Sequence, residues 1–198
     1  MQIEPMLAAC RKGLRFSAAL VAAHLCAYAL ADEVGDVYGG ISYSQTTAKD
    51  ESSRNLGTYK PTTIGIGLSM VVVPNLALDG YVFTALNDST QALTATSSMT
   101  VNAQEGYGFN LRPYMSLRPA WSIYAKLGRQ YGTQETTIRR IAGAATTSTT
   151  YAHTIYGLGL SHNLDAHWGI GADYTRAKRI PSEQTSTSLI SIGLRYKF

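Results

Sequence analysis

Cysteine is nearly absent from this 198-residue chain: only Cys10 and Cys26 occur, both near the start. If the first 31 residues are removed, nothing remains for a disulfide, a thiol nucleophile or a thiolate metal site. Charge is also scarce, at 15% of residues. Taking away Arg11, Lys12, Arg15 and Glu4 with that segment leaves 14 cations against 12 anions. So slight a positive balance gives no case for nucleic acid as a partner. Long hydrophobic runs are missing as well. Beyond residue 31 the longest is the Met-Val-Val-Val of residues 70–73, far short of the roughly 20 apolar residues of a helical membrane span.

The segment that holds the cysteines reads as a leader. Arg11, Lys12 and Arg15 precede a mostly Ala/Leu/Val stretch, residues 16–31, that ends in Ala29-Leu30-Ala31. A basic region, a short apolar core and an Ala-x-Ala site predict a secretory signal peptide over residues 1–31, cut after Ala31. Met6 is an alternative start. Leu7-Ala8-Ala9-Cys10 has the look of a lipoprotein box but precedes the basic and apolar regions, where it cannot serve as one.

What the rest of the chain has is alternation. From Ile190 the sequence sets Ile190, Ile192, Leu194, Tyr196 and Phe198 against Ser191, Gly193, Arg195 and Lys197. A strand turns successive side chains to opposite faces, so one face here is apolar and the other small or cationic. The same pattern predicts strands over residues 36–44, 62–72, 76–86, 105–117, 121–131, 151–163 and 168–176, with the terminal stretch as the eighth. Connections near residues 73–75, 118–120 and 163–167 are tight. Those over 45–61, 87–104, 132–150 and 177–186 are long and rich in Ser and Thr, with Thr146 to Thr150 expected at a solvated loop tip. A membrane protein without helical spans must be a closed barrel, and short turns at one end with long loops at the other suit one in the outer membrane. The glycines set its polarity. Gly65, Gly67, Gly106, Gly108, Gly157, Gly159, Gly169, Gly171 and Gly193 all share the polar face. A solvated sheet gains nothing from them, whereas a narrow lumen needs small residues. The polar face is therefore expected inside, with Tyr43, Trp121, Trp168, Tyr174 and Tyr196 as outward girdle residues.

Leader, eight alternating strands, loop asymmetry and terminal Phe together resemble the small bacterial outer-membrane β-barrels of the OmpA transmembrane-domain, OmpX/Ail and opacity-protein type. The resemblance spans residues 32–198. It implies an all-β, eight-stranded antiparallel transmembrane β-barrel with short periplasmic turns and long extracellular loops, exported through the periplasm to the outer membrane. It also implies that Tyr196 and Phe198 belong to a signal read by the barrel-assembly machinery. Expected partners are outer-membrane lipid and lipopolysaccharide and a host or surface ligand at the loops. No nucleic acid, no cofactor and no peptidoglycan-binding domain after the barrel is expected, and the protein reads as a monomer.

Asp79, Arg112, Lys126, Asp173 and Arg195 fall on the inward face with both signs of charge. Unpaired charge in a narrow lumen is costly, which predicts a polar network there, either filling the barrel or gating a narrow channel. In the loops Lys49, Arg54, Lys60, Arg139, Arg140, Lys178 and Arg179 outnumber Asp50, Glu51, Asp88, Glu135 and Glu183, a balance suited to lipopolysaccharide phosphate or an acidic glycan. Catalysis is not expected. Hydrolysis needs a nucleophile, base and acid converging at one level. Ser161 and His162 are adjacent and face opposite ways, His167 lies beside a tight turn, and the three histidines beyond residue 31 lack metal-ligand spacing. That leaves His153 as the one candidate for a lipid A-modifying site.

Overall fold

The computed structural model describes residues 32–50, 58–179 and 185–198; the expected leader with its cleavage point, Glu51, Arg54 and Glu183 lie outside them. Ten strands follow in order: β1 (Val37–Asp50), β2 (Thr58–Tyr59), β3 (Thr62–Val73), β4 (Leu76–Asn87), β5 (Ser89–Thr94), β6 (Ser97–Arg118), β7 (Trp121–Arg140), β8 (Gly143–Asn163), β9 (Trp168–Arg179) and β10 (Thr185–Lys197). Eight of them make an antiparallel ring in the order β1, β3, β4, β6, β7, β8, β9, β10, closed by the pairing of β10 with β1. The two short strands lie outside this ring: β2 pairs with the end of β1, and β5 with the start of β6.

The alternation sorts the side chains as a lipid-facing barrel requires. Ile66, Leu68 and Leu158 are about 60% exposed, and most other large apolar residues of the wall are exposed as well. The buried set includes Asn110, Arg112, Gln130, Ser161 and Thr175. A soluble fold would invert this order, and an apolar band that runs around the ring is matched by hydrocarbon, not water. Among the described residues no helix is long and apolar enough to cross a membrane.

Inside, aromatic rings lie over glycines. Tyr81, Phe83, Tyr124 and Tyr151 are the direct cross-strand partners of Gly108, Gly106, Gly159 and Gly132. A Cβ on Gly159 would come 2.3 Å from Tyr124 Cζ, and one on Gly108 2.4 Å from the Tyr81 hydroxyl. The glycines therefore allow a ring from the neighbouring strand to lie against the wall, a closer reason than a general shortage of room.

The long connections differ from coil. Most of the expected loop over residues 87–104 is β5 and the first part of β6, and that over 132–150 is the outer half of β7 and β8. Thr146 to Thr150 pair with Thr133 to Thr137, so the tip lies instead at residues 141–142. Threonine's branched Cβ favours extended backbone, and a hairpin standing in water has no buried face, so hydrophobic alternation does not mark it. The same lengthening relocates Tyr43. Because β1 runs on to Asp50, Tyr43 sits mid-strand between Ile64 and Ile192, within the apolar band and away from its edge.

Candidate functional site

Register brings four of the five inward charges into two pairs. β4 and β6 place Asp79 two register pairs from Arg112 on the same inward face, and the Arg112 Nε donates to both carboxylate oxygens at 3.1 Å. Ser69 on β3 joins them: its hydroxyl donates to Asp79 at 2.6 Å and accepts from Arg112 Nη2 at 2.7 Å. On the other side of the lumen Lys126 Nζ lies 2.6 Å from Asp173 Oδ2. Asp173 also accepts from Tyr124 at 3.2 Å and Thr175 at 3.0 Å. The Tyr124 ring links the two groups, with the Arg112 guanidinium 5.5 Å and the Lys126 ammonium 5.6 Å from its centroid, a cation–π geometry. Charges so placed neutralise one another across the narrow section.

Arg195 stands apart from both pairs. Its Nη2 donates to Asn163 Oδ1 at 2.6 Å, its guanidinium lies 5.0 Å from the Tyr38 ring, and its Nε is buried without a hydrogen-bond partner. Nearby, Asp36 bridges to Lys197 and Asp32 accepts from the Tyr38 hydroxyl at 2.5 Å. The alternation does not mark Tyr38, Asn163 and Asp36 as members of this group, and it places Lys197 only on the cationic face. Their signal is register, since β1 begins where β10 ends. A cavity of about 250 Å³ connects these levels, lined by both ion pairs, Arg195, Gln130 and Tyr81.

Tyr196 and Phe198 face outward at the same end. Tyr196 packs between Trp168 at 5.0 Å and Phe198 at 5.5 Å and stacks on His167 at 5.6 Å. Trp121 stacks on His162 at 4.3 Å beside the neighbouring tight turn. His153 faces inward, stacked on Tyr151 at 4.6 Å. Among the described residues no three of His, Cys, Asp or Glu gather into a group able to hold a metal.

Beyond the ring, β5 to β8 continue as a sheet. β7 and β8 stay paired as far as Arg140 and Gly143, and residues 143–150 are all exposed. At its tip Arg139 and Arg140 are flanked on β6 by Ser98 and Ser97 and on β8 by Ala144 and Gly143. Lys60 is exposed too, its backbone N–H donating to Ser89 Oγ at 2.9 Å. Lys178 lies lower, on the outward wall of β9.

The sequence matches the family described as "Outer membrane protein beta-barrel domain" over residues 17–198. No curated protein is similar in sequence. Among solved structures, Ail of Yersinia pestis superposes with a TM-score of 0.58 at 16% identity, over 84% of this chain and 100% of that one. Neisserial surface protein A gives 0.56 at 14% identity, over 82% and 97%. OprG of Pseudomonas aeruginosa gives 0.51 at 12% identity, over 85% and 98%. Identities this low speak to the fold, while the family match covers most of the chain. With an eight-stranded closed ring, an apolar outer face and a polar lumen, the chain belongs to the outer-membrane β-barrel family and resides in the bacterial outer membrane.

Proposed function

We propose that this is a non-enzymatic surface-interaction protein, with a role in adhesion or envelope integrity, whose contact surface is the sheet that β5 to β8 raise beyond the membrane. The observation that carries this reading is the continuous β7–β8 pairing out to Arg140 and Gly143, which holds Arg139 and Arg140 on an ordered platform. Two adjacent cations flanked by Ser, Ala and Gly suit a polyanionic surface glycan. A structure of Ail in complex with the heparin analogue sucrose octasulfate supports the same ligand class. The test is retention of the detergent-extracted protein on immobilised heparin. Arg139→Ser with Arg140→Ser should weaken binding roughly tenfold, from about 0.7 kcal/mol per exposed cation, and added salt should weaken the unaltered protein likewise. Undiminished binding by the double variant would sink the reading.

The lumen supports a second reading, a narrow channel for ions or small solutes, because a cavity of about 250 Å³ runs past both ion pairs. Discrete conductance steps in a planar bilayer, altered by Lys126→Ala or Arg195→Ala, would favour it. A folded but silent barrel would assign the charges to filling. In either case Tyr196 and Phe198 are taken as the residues read by the assembly machinery, and Phe198→Ala should lower the amount reaching the outer membrane.

A further inference from the structure

The outer part of β8 is held on one side only. Among the described residues β9 accompanies β8 outward as far as the pair of His153 with Arg179, whereas β7 stays paired with β8 out to Gly143. Residues 143–150 are all exposed, and burial resumes at Tyr151. Those eight residues are Gly, Ala, Ser and Thr alone, so no large side chain anchors them. Opposite Arg140, Arg139 and Ile138 they set Gly143, Ala144 and Ala145. Partners so small leave the last pairs little beyond backbone hydrogen bonds in contact with water, which open most readily in a fold. The covalent turn at residues 141–142 is what keeps this stretch against β7. On its other side β7 has β6, with Ser97 opposite Arg140.

That turn is open to attack. Ile141 is 84% exposed, and Arg139, Arg140, Ala142 and Gly143 are exposed beside it. Arg140 is the twentieth residue of β7. Twenty residues at about 3.3 Å each, tilted by roughly 40°, rise about 50 Å, around twice the hydrocarbon band of such a barrel, so a soluble protein has room to close over the tip. Exposed tips of this kind are preferred sites of nicking. Sequence protects other cations: Lys60, Arg112 and Arg118 are each followed by a proline, at positions 61, 113 and 119. Proline has no N–H, and its ring crowds the bond that would be cut. Arg140 is followed by Ile141 and has no such protection.

We propose that the β7–β8 tip is a processing site, cut at the Arg140–Ile141 bond by an endoprotease whose specificity pocket carries a carboxylate. Water adds across the amide. Its oxygen bonds to the Arg140 carbonyl carbon, the C–N bond breaks, and both water protons end on the leaving nitrogen, giving an Arg140 carboxylate and an Ile141 ammonium. The ring survives the cut, because β7 and β8 remain paired from Gly132 and Tyr151 down to Trp121 and His162. Residues 141–150 become a tail free to leave β7, and the new carboxylate lies beside the guanidinium groups of Arg139 and Arg140. Cleavage therefore weakens the attraction of the platform for a polyanion; this consequence, unlike the cut itself, rests on the glycan reading.

The test is limited digestion of the detergent-extracted protein by trypsin, which has such a pocket, read by mass spectrometry and by gels with and without boiling. Boiled samples should yield fragments that end at Arg140 and begin at Ile141, while unboiled samples keep the position of the folded barrel. Ile141→Pro retains both arginines, suits the negative φ of that residue and should block the cut. Arg140→Gln should slow it at least about thirtyfold, by leaving the carboxylate of the pocket unpaired. The nicked barrel should leave immobilised heparin at lower salt than the intact one. No cut after Arg140 in the folded barrel, an undiminished rate in either folded variant, loss of the folded position on nicking, or equal elution of nicked and intact barrels would overturn the assignment. Intact protein that ignores heparin and yet is cut at this bond would instead support the processing site and sink the glycan reading.

Discussion

Asn75 is the one non-glycine residue with a left-handed backbone among the described residues, at φ 65°. It follows Pro74 in the tight turn between β3 and β4, and its carbonyl accepts from the Tyr114 N–H at 2.9 Å. Asn and Gly accept this conformation, whereas a β-branched residue does not. Asn75→Val should lower stability by about 1–2 kcal/mol and Asn75→Gly should leave it nearly unchanged, as read by urea unfolding in micelles. Asp165 acts similarly in the turn before β9. Its carboxylate accepts the backbone N–H groups of Trp168 and His167, both at 2.7 Å, and these bonds hold its pKa below the ordinary 3.8. Because the folded value is depressed, the support it gives the turn is complete above the ordinary carboxylate range and is lost as pH falls through the depressed value. Carboxyl chemical shifts should place the Asp165 midpoint under 3.8; a midpoint at or above it would contradict the geometry. In the lumen, Arg112 and Asp79 have side chains only 9% and 15% exposed. Arg112→Ala leaves a carboxylate without its cation and should cost about 3–5 kcal/mol, with part regained on adding Asp79→Ala. Additive losses in that double-mutant cycle would mean that the pair is not coupled.

The strands divide into those that sequence reveals and those that it hides. β3 and β4 match their expected spans to within one residue at each end, because a lipid-facing side opposite a glycine-rich side gives each a clear two-residue period. The outer parts of β6, β7 and β8 are hidden because residues 143–150 are exposed on both faces and the facing stretches of β6 and β7 are mostly half-exposed, with Val101 the buried exception, and Thr or Ser suits either face. The lumen shows the same limit. Alternation identifies Asp79, Arg112, Lys126, Asp173 and Arg195 as inward, but which charge meets which depends on strand register, as does the recruitment of Ser69, Tyr124 and Asn163. A hairpin held by its own ladder should also be separable from the ring. Replacing residues 133–150 with a short turn should leave the heat-dependent gel shift and the urea midpoint near those of the unaltered barrel while abolishing retention on heparin. A barrel that no longer folds would show that the outer pairing is part of the ring's stability.

At the scale of the whole molecule, the ring is closed by thirteen register pairs between β1 and β10, with Asp36 bridging to Lys197 at the base of the seam. The Phe198 N–H donates to the Val37 carbonyl at 3.0 Å, so the first and last strands meet end to end on the periplasmic side. This adjacency makes the chain a candidate for circular permutation. A short linker from Phe198 to Asp32 would bridge the base, and new ends opened between Ile141 and Ala142, where Ile141 is 84% exposed, would break no strand. Such a permutant keeps every ladder pair but moves the terminal aromatic into the middle of the chain. It thereby separates what the ring needs in order to be stable from the role in insertion proposed for Tyr196 and Phe198.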